Sequence, residues 1–115
     1  MSDTAQTKSD LTQKKCKACE GETAALSEKE IEEYLKKVSG WEFKEEVIQK
    51  EFGFKNYYQT VSFINAVAWI ANQEDHHPDM TFGYKNCRVS FVTHSVGGIT
   101  ENDFICAAKI EALLS

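Results

Sequence analysis

The stretch SGWEFKEEVIQKEFGFKN, residues 39–56, is where the apolar periodicity of this chain changes, and its reading decides the fold. Upstream, apolar residues recur at helical spacing; within the stretch they alternate. Trp41 and Phe43 fall on one side of WEFK, and Ile48, Phe52 and Phe54 on one side of VIQKEFGF, with Lys50 interrupting that row. A period of two marks a half-buried strand. Glu45 and Glu46 stand between the two runs, so the spacing predicts a β-hairpin turning there, apolar on one face and charged on the other.

Helices are predicted on either side. Upstream, SEKE places Ser27 three residues before Glu30, a capping box. Ile31, Tyr34, Leu35 and Val38 follow at i, i+3, i+4, i+7, and Gly40 suits the helix end. Downstream, Asn56 is an N-cap for a long helix over roughly 57–73, with a stripe of Tyr57, Val61, Ile64, Ala68 and Ala71 widened by Phe63, Val67 and Ile70. So wide an apolar surface predicts burial on more than one side. Pro78 cannot continue that helix. Residues 80–84 and 87–95 then read as a second hairpin turning near Lys85 and Asn86. In its later strand Val89 and Phe91 share one face, and Arg88, Ser90, Val92 and His94 the other. Gly97 and Gly98 make a loop, and Thr100 with Asp103 opens a last helix whose apolar side is Phe104, Ala107, Ala108, Ile110 and Leu114.

The order α-β-β-α-β-β-α predicts a two-layer α+β domain, a four-stranded antiparallel sheet with three helices on one face. It occupies residues 27–115, after a polar, irregular or flexible arm over 1–26. The sheet's other face and its edges would stay open, which predicts self-association.

Composition narrows the function. The chain has 115 residues, net charge −5 and no basic block, which argues against a nucleic-acid surface. Its longest apolar runs, such as AVAWIA at 66–71, are too short to cross a bilayer, and MSDTAQTKSD lacks the apolar core of a secretory signal. A cytoplasmic location is expected. Of four cysteines, Cys16 and Cys19 form CKAC, while Cys87 and Cys106 are isolated, so the second ligand pair of a structural zinc site is missing. Cys106 reads as a small buried side chain.

The histidines are more telling. His76, His77 and His94 are the only three, and they fall within 19 residues. The first two stand side by side in EDHHPDM, residues 74–80, just past a helix end, where adjacent imidazoles can project in different directions. Histidine exchanges protons near neutrality, so three around one cleft would suit acid–base chemistry. Solvated loop histidines and a three-histidine zinc site are the competing readings. No glycine-rich phosphate loop or G-x-S-x-G elbow is present, and Ser95 is a poor nucleophile for a base adjacent in sequence. Asp103 reads either as a histidine or ligand partner or as the acidic residue favoured at a helix start. Trp41 reads as a core residue or as a platform for a flat ligand.

These residues carry a resemblance. HHP at 76–78, Tyr84, His94 and Asp103, with GW at 40–41, F-x-F-K-N-Y-Y at 52–58 and THSVGGITENDF at 93–104, resemble the pterin-4a-carbinolamine dehydratases from Leu26 to the C-terminus. The CKACEG preamble looks like that of bacterial members. The resemblance implies loss of water from 4a-hydroxytetrahydropterin to give quinonoid dihydropterin, without metal or cofactor, in recycling the pterin of aromatic amino-acid hydroxylases. It implies His76 and His94 as the acid/base candidates, with His77 mainly binding and orienting the pterin. Asp103 would support them and Trp41 would border the pocket. Family members commonly carry a charged residue four positions before the first motif histidine; here that position is Asn72, with Glu74 the nearby carboxylate on the substrate-binding side. The resemblance also implies a homodimer or homotetramer and a functional link to phenylalanine hydroxylase. It implies a rival role too, as a protein-binding regulatory module on the same fold, either a dimerisation cofactor or a regulator of hydroxylase expression.

Overall fold

The structure, a computed structural model, describes residues 11–16 and 24–114. Its regular elements are helix α1 (Glu28–Leu35), strands β1 (Glu42–Lys44) and β2 (Val47–Gly53), helix α2 (Tyr57–Glu74), strands β3 (Asp79–Phe82) and β4 (Asn86–Phe91), a single 3-10 turn at His94–Val96, and helix α3 (Glu101–Leu113). The four strands form one antiparallel sheet in the order β1-β2-β4-β3. This is the predicted two-layer α+β architecture. Residues 11–13 add a short helical piece.

The hairpin that decides the fold turns where the charges predicted. Lys44 pairs with Val47, and Glu45 and Glu46 both adopt positive φ, 53° and 67°. Two left-handed residues give a two-residue loop the twist its strands require, but the geometry is unfavourable for any side chain with a Cβ. Replacing Glu45-Glu46 by Asn-Gly is therefore expected to raise stability by about 1 kcal/mol, read as a higher thermal midpoint with unchanged activity.

Register assigns the faces. Ile48 lies opposite Phe91, Lys50 opposite Val89 and Phe52 opposite Cys87, and all but Lys50 are buried. Lys50 is tolerated on this apolar face because its amine reaches out to Glu111 on α3, 2.9 Å away, and donates to the Ser39 carbonyl at 2.8 Å. The same Glu111 accepts from Trp41 Nε1 at 3.1 Å. Gly40 (φ 85°) lets the chain pass over this lysine, since a Cβ there would meet Lys50 Cε at 2.9 Å. Gly40 is thus not the helix end expected of it: α1 stops at Leu35, and the glycine serves the following turn. The capping box at Ser27 and Glu30 is present as predicted. Tyr34 stacks on Phe104 and donates to Glu101, and burial, with the Glu101 carboxylate, pushes its phenol up to about 12.

Two expectations about burial are corrected. In α2 the buried row is Thr60, Phe63, Val67, Ile70 and Ala71, while Tyr57, Tyr58 and Trp69 are exposed. The helix enclosed on all sides is α3, buried continuously from Asn102 to Ala108 and again at Ile110. The cover is supplied partly by residues 11–16. Leu11 is in the core, Lys109 donates to the Thr12 carbonyl at 2.9 Å, and Cys16 N donates to Glu74 at 2.8 Å. That much of the stretch read as an irregular arm is packed; residues 1–10 and 17–23 of the same expectation, and with them Cys19, lie outside the described residues. The second hairpin is also shorter than predicted. Strand β4 ends at Phe91, so His94 does not share a strand face with Arg88 and Ser90. Thr93 instead pairs with Gly98 and pinches off a small loop whose 3-10 turn carries His94.

Candidate functional site

Three chain breaks converge at one buried carboxylate. The first is the end of α2. Asp75 takes the left-handed conformation, φ 51°, and both its N–H and that of His76 donate to the Ala71 carbonyl. This reverses the chain three residues before Pro78 and turns His76 back over the sheet. The second is the end of β4, where Thr93 is held by its bridge to Gly98. The third is the start of α3, where Thr100 caps the helix and Asp103 occupies the third position of the capping box.

Asp103 is wholly buried and both of its oxygens are used. Oδ2 accepts from Thr100 N at 2.9 Å and from Thr93 Oγ1 at 2.8 Å. Oδ1 lies 2.6 Å from His76 Nε2. Thr93 and Thr100 hydroxyls are 2.9 Å apart. A hydroxyl has one proton, and Thr93 gives its own to the carboxylate, so Thr100 donates to Thr93. Asp103 thus caps α3 through one oxygen and meets His76 through the other. A buried carboxylate demands such partners, because burying a charge unpaired is costly.

This fixes His76. Its ring lies parallel to Phe91 at 5.8 Å between centroids and 7° between planes, and its side chain is 12% exposed. With Nε2–H directed at Asp103, Nδ1 is the ring nitrogen that this carboxylate does not engage, the geometry of a carboxylate–histidine pair. His77 and His94 are exposed beside this network, His77 as the next residue after His76 and His94 as the next after Thr93.

The other two expected site residues are committed elsewhere. Trp41 is buried, bonded to Glu111 and packed on Phe52 and Phe91, so its link to His76 runs through Phe91, on which both rings pack. Glu74 accepts from Cys16 N and lies 3.6 Å from Lys109 Nζ, with its side chain 5% exposed. It braces α2 against α3 and the N-terminal segment, and Asn72 is exposed. Sequence reasoning missed Thr93, Thr100 as a hydroxyl donor, and Phe91. The one available signal was that both threonines flank His94 and Asp103 within THSVGGITENDF. Among the described residues no group of three or more His, Cys, Asp or Glu is placed to hold a metal ion.

The family model described as pterin 4 alpha carbinolamine dehydratase matches residues 24–113. A protein of Nitrosospira multiformis named "Putative pterin-4-alpha-carbinolamine dehydratase" is 56% identical over 104 residues, 90% of this chain and 92% of its own. A Legionella pneumophila protein of the same name is 52% identical over 109 residues, 92% and 96% of the two chains. The crystal structure of a transcriptional coactivator/pterin dehydratase from Brucella melitensis superposes with a TM-score of 0.76 at 33% identity, covering 79% of this chain and 99% of that one. A pterin dehydratase-like protein identified as a RuBisCO assembly factor in the alpha-carboxysome matches with a TM-score of 0.53 at 27% identity, covering 64% and 84%.

Proposed function

This chain belongs to the pterin 4 alpha carbinolamine dehydratase family, and on that premise we propose that it removes water from 4a-hydroxytetrahydrobiopterin to give quinonoid dihydropterin. The observation that carries the proposal is the 2.6 Å contact of His76 with the buried carboxylate of Asp103. A carbinolamine loses water when an acid protonates the 4a-oxygen, the N5 lone pair forms the C4a=N5 bond as the C–O bond breaks, and a base takes the N5 proton. Nothing is oxidised or reduced, so no redox cofactor is called for, and two imidazoles can carry both proton transfers. His76, its Nε2 proton held by Asp103, presents Nδ1 as the base. His94, exposed on the 3-10 turn, donates to the departing oxygen, and exposed His77 binds and orients the pterin. Trp41 supports the pocket wall through Phe91, and Glu74 supports it by bracing the end of α2.

The product, once returned to the tetrahydropterin by a separate two-electron reductant, would again serve a pterin-dependent hydroxylase, phenylalanine hydroxylase above all, in the cytoplasm. Among the described residues no helix is long and apolar enough to cross a membrane. The test couples the two enzymes. With a hydroxylase supplying the carbinolamine, adding the chain raises the rate of quinonoid formation; an unchanged rate overturns the proposal.

Self-association, which fits the dehydratase reading equally well, is favoured by one observation. Tyr58, Trp69, Leu113 and Leu114 are exposed on the outer side of α2 and α3, and Tyr58, Leu113 and Leu114 line a cavity of about 450 Å³. The sheet's outer face is by contrast polar, with Glu42, Lys44, Glu51 and Arg88 exposed, so the helix layer is the better contact surface. The occupant we propose is a second copy, giving a homodimer or homotetramer. Light scattering is expected to give a multiple of 13.0 kDa, falling towards that mass in Trp69→Glu. A monomeric parent chain contradicts this.

A further inference from the structure

Cys16 and Cys106 are 90 residues apart in sequence, yet their sulfurs lie 3.6 Å from each other. The approach is held by contacts around it. Cys16 N donates to Glu74 Oε1, Lys14 pairs with Glu101 at 2.8 Å, Lys109 binds the Thr12 carbonyl, and Leu11 is in the core. Cys16 Sγ donates to the Asn102 carbonyl at 3.5 Å, which leaves Cys106 to donate its own S–H to Cys16. That hydrogen bond, with burial, pushes the Cys106 thiol well above its usual range, so Cys106 keeps its proton and is not the sulfur that meets an oxidant first. The dehydration uses neither sulfur.

We propose that Cys16 and Cys106 form a redox pair, converted by a peroxide into a disulfide that fastens the N-terminal segment to α3. Cys16 is half-buried and Cys106 wholly buried, so the oxidant meets Cys16 first. The Cys16 sulfur attacks one peroxide oxygen, the O–O bond breaks, and a sulfenic acid and water form. The Cys106 sulfur then displaces the sulfenic hydroxyl, which leaves as water with the Cys106 proton. In sum two thiols and one hydrogen peroxide give one disulfide and two water molecules. Closing the bond needs an approach of about 1.5 Å, to the usual separation near 2.05 Å, and residues 14–16 have no regular secondary structure to resist it. The bond would act close to the site without entering it. Cys106 is one helical turn after Asp103, and Glu74, bound to Cys16 N, is two residues before His76.

Oxidation of the full chain with stoichiometric hydrogen peroxide, followed by digestion without reduction and mass mapping, tests this. The expected product is a peptide pair joined through Cys16 and Cys106, two hydrogens lighter than the separate peptides, and still formed in Cys19→Ser. The thermal midpoint rises by about 8 °C or more, because the bond closes a long loop in the unfolded chain, and dithiothreitol reverses the rise. In Cys16→Ser both effects vanish. A link between Cys16 and Cys19, or peroxide carrying Cys16 to sulfinic acid while Cys106 stays a thiol, overturns the proposal. Mapping is done on the parent chain, so the outcome depends on no core variant folding and on no dehydratase activity.

Discussion

Replacing His76 by alanine is expected to lower the dehydration rate by about 10²- to 10⁴-fold, the contribution of one positioned proton-transfer group. The loss should fall on kcat more than on KM, since His77 and the pocket walls remain to bind the pterin. Alanine also leaves the Asp103 carboxylate without its ring partner, so a fall in rate alone would not separate chemistry from packing. His76→Gln does separate them. Its amide can donate to Asp103 in place of Nε2–H but cannot shuttle a proton. It is expected to keep most of the thermal stability and to share the alanine variant's loss of rate. His94→Ala removes an exposed side chain, so a rate loss of the same order is expected with little change in stability. Full activity in both His76→Ala and His94→Ala would remove these residues from the chemistry.

The second large effect is expected at Asp103. Asparagine can keep its oxygen towards Thr100 N–H and the Thr93 hydroxyl, which places its amide nitrogen against His76. An N–H donor there forces Nε2 to become the acceptor, so the ring proton moves to Nδ1, the nitrogen that should take a proton from the pterin. Asp103→Asn is therefore expected to lower kcat by about 10²-fold or more through the wrong tautomer, as carboxylate-to-amide changes beside catalytic histidines do. Its cost in stability should be small, about 1 kcal/mol. Asp103→Ala goes further. It leaves the buried Thr93 hydroxyl and Thr100 N–H without an acceptor and opens a cavity, at a cost of about 3 kcal/mol or more. Denaturant unfolding distinguishes the two variants. An asparagine variant with native stability and native rate would show that the tautomer does not matter.

How much of this was legible in the sequence follows from the range of the forces involved. Caps and turns are local, and they are readable: both capping boxes, the Asn56 cap and the Glu45-Glu46 turn stand where the residues predict. Which face of a helix is buried depends on what packs against it. The apolar surface of α2 therefore misleads, because Tyr57 sits in the predicted stripe yet is exposed, while the buried row runs through Phe63, Val67 and Ile70. Residues 11–16 mislead in the opposite direction: a polar stretch gives no sign that Leu11 and Cys16 will find α3. Lys50 looks like a break in a strand face until Glu111, 61 residues on, supplies its partner. At the site, motif likeness points to His76 and Asp103, and the structure joins them. It could not reveal the threonine relay behind the carboxylate or the small bridged loop that takes His94 off the strand, because both depend on contacts made across the fold.

The most direct test follows the carbinolamine itself. When pre-formed 4a-hydroxytetrahydrobiopterin is mixed with catalytic amounts of the parent chain, its absorbance is expected to decay faster in proportion to protein concentration, and in Asp103→Asn the slope of that dependence should be at most about a hundredth as steep. A decay equal to that in buffer at every protein concentration would contradict the account.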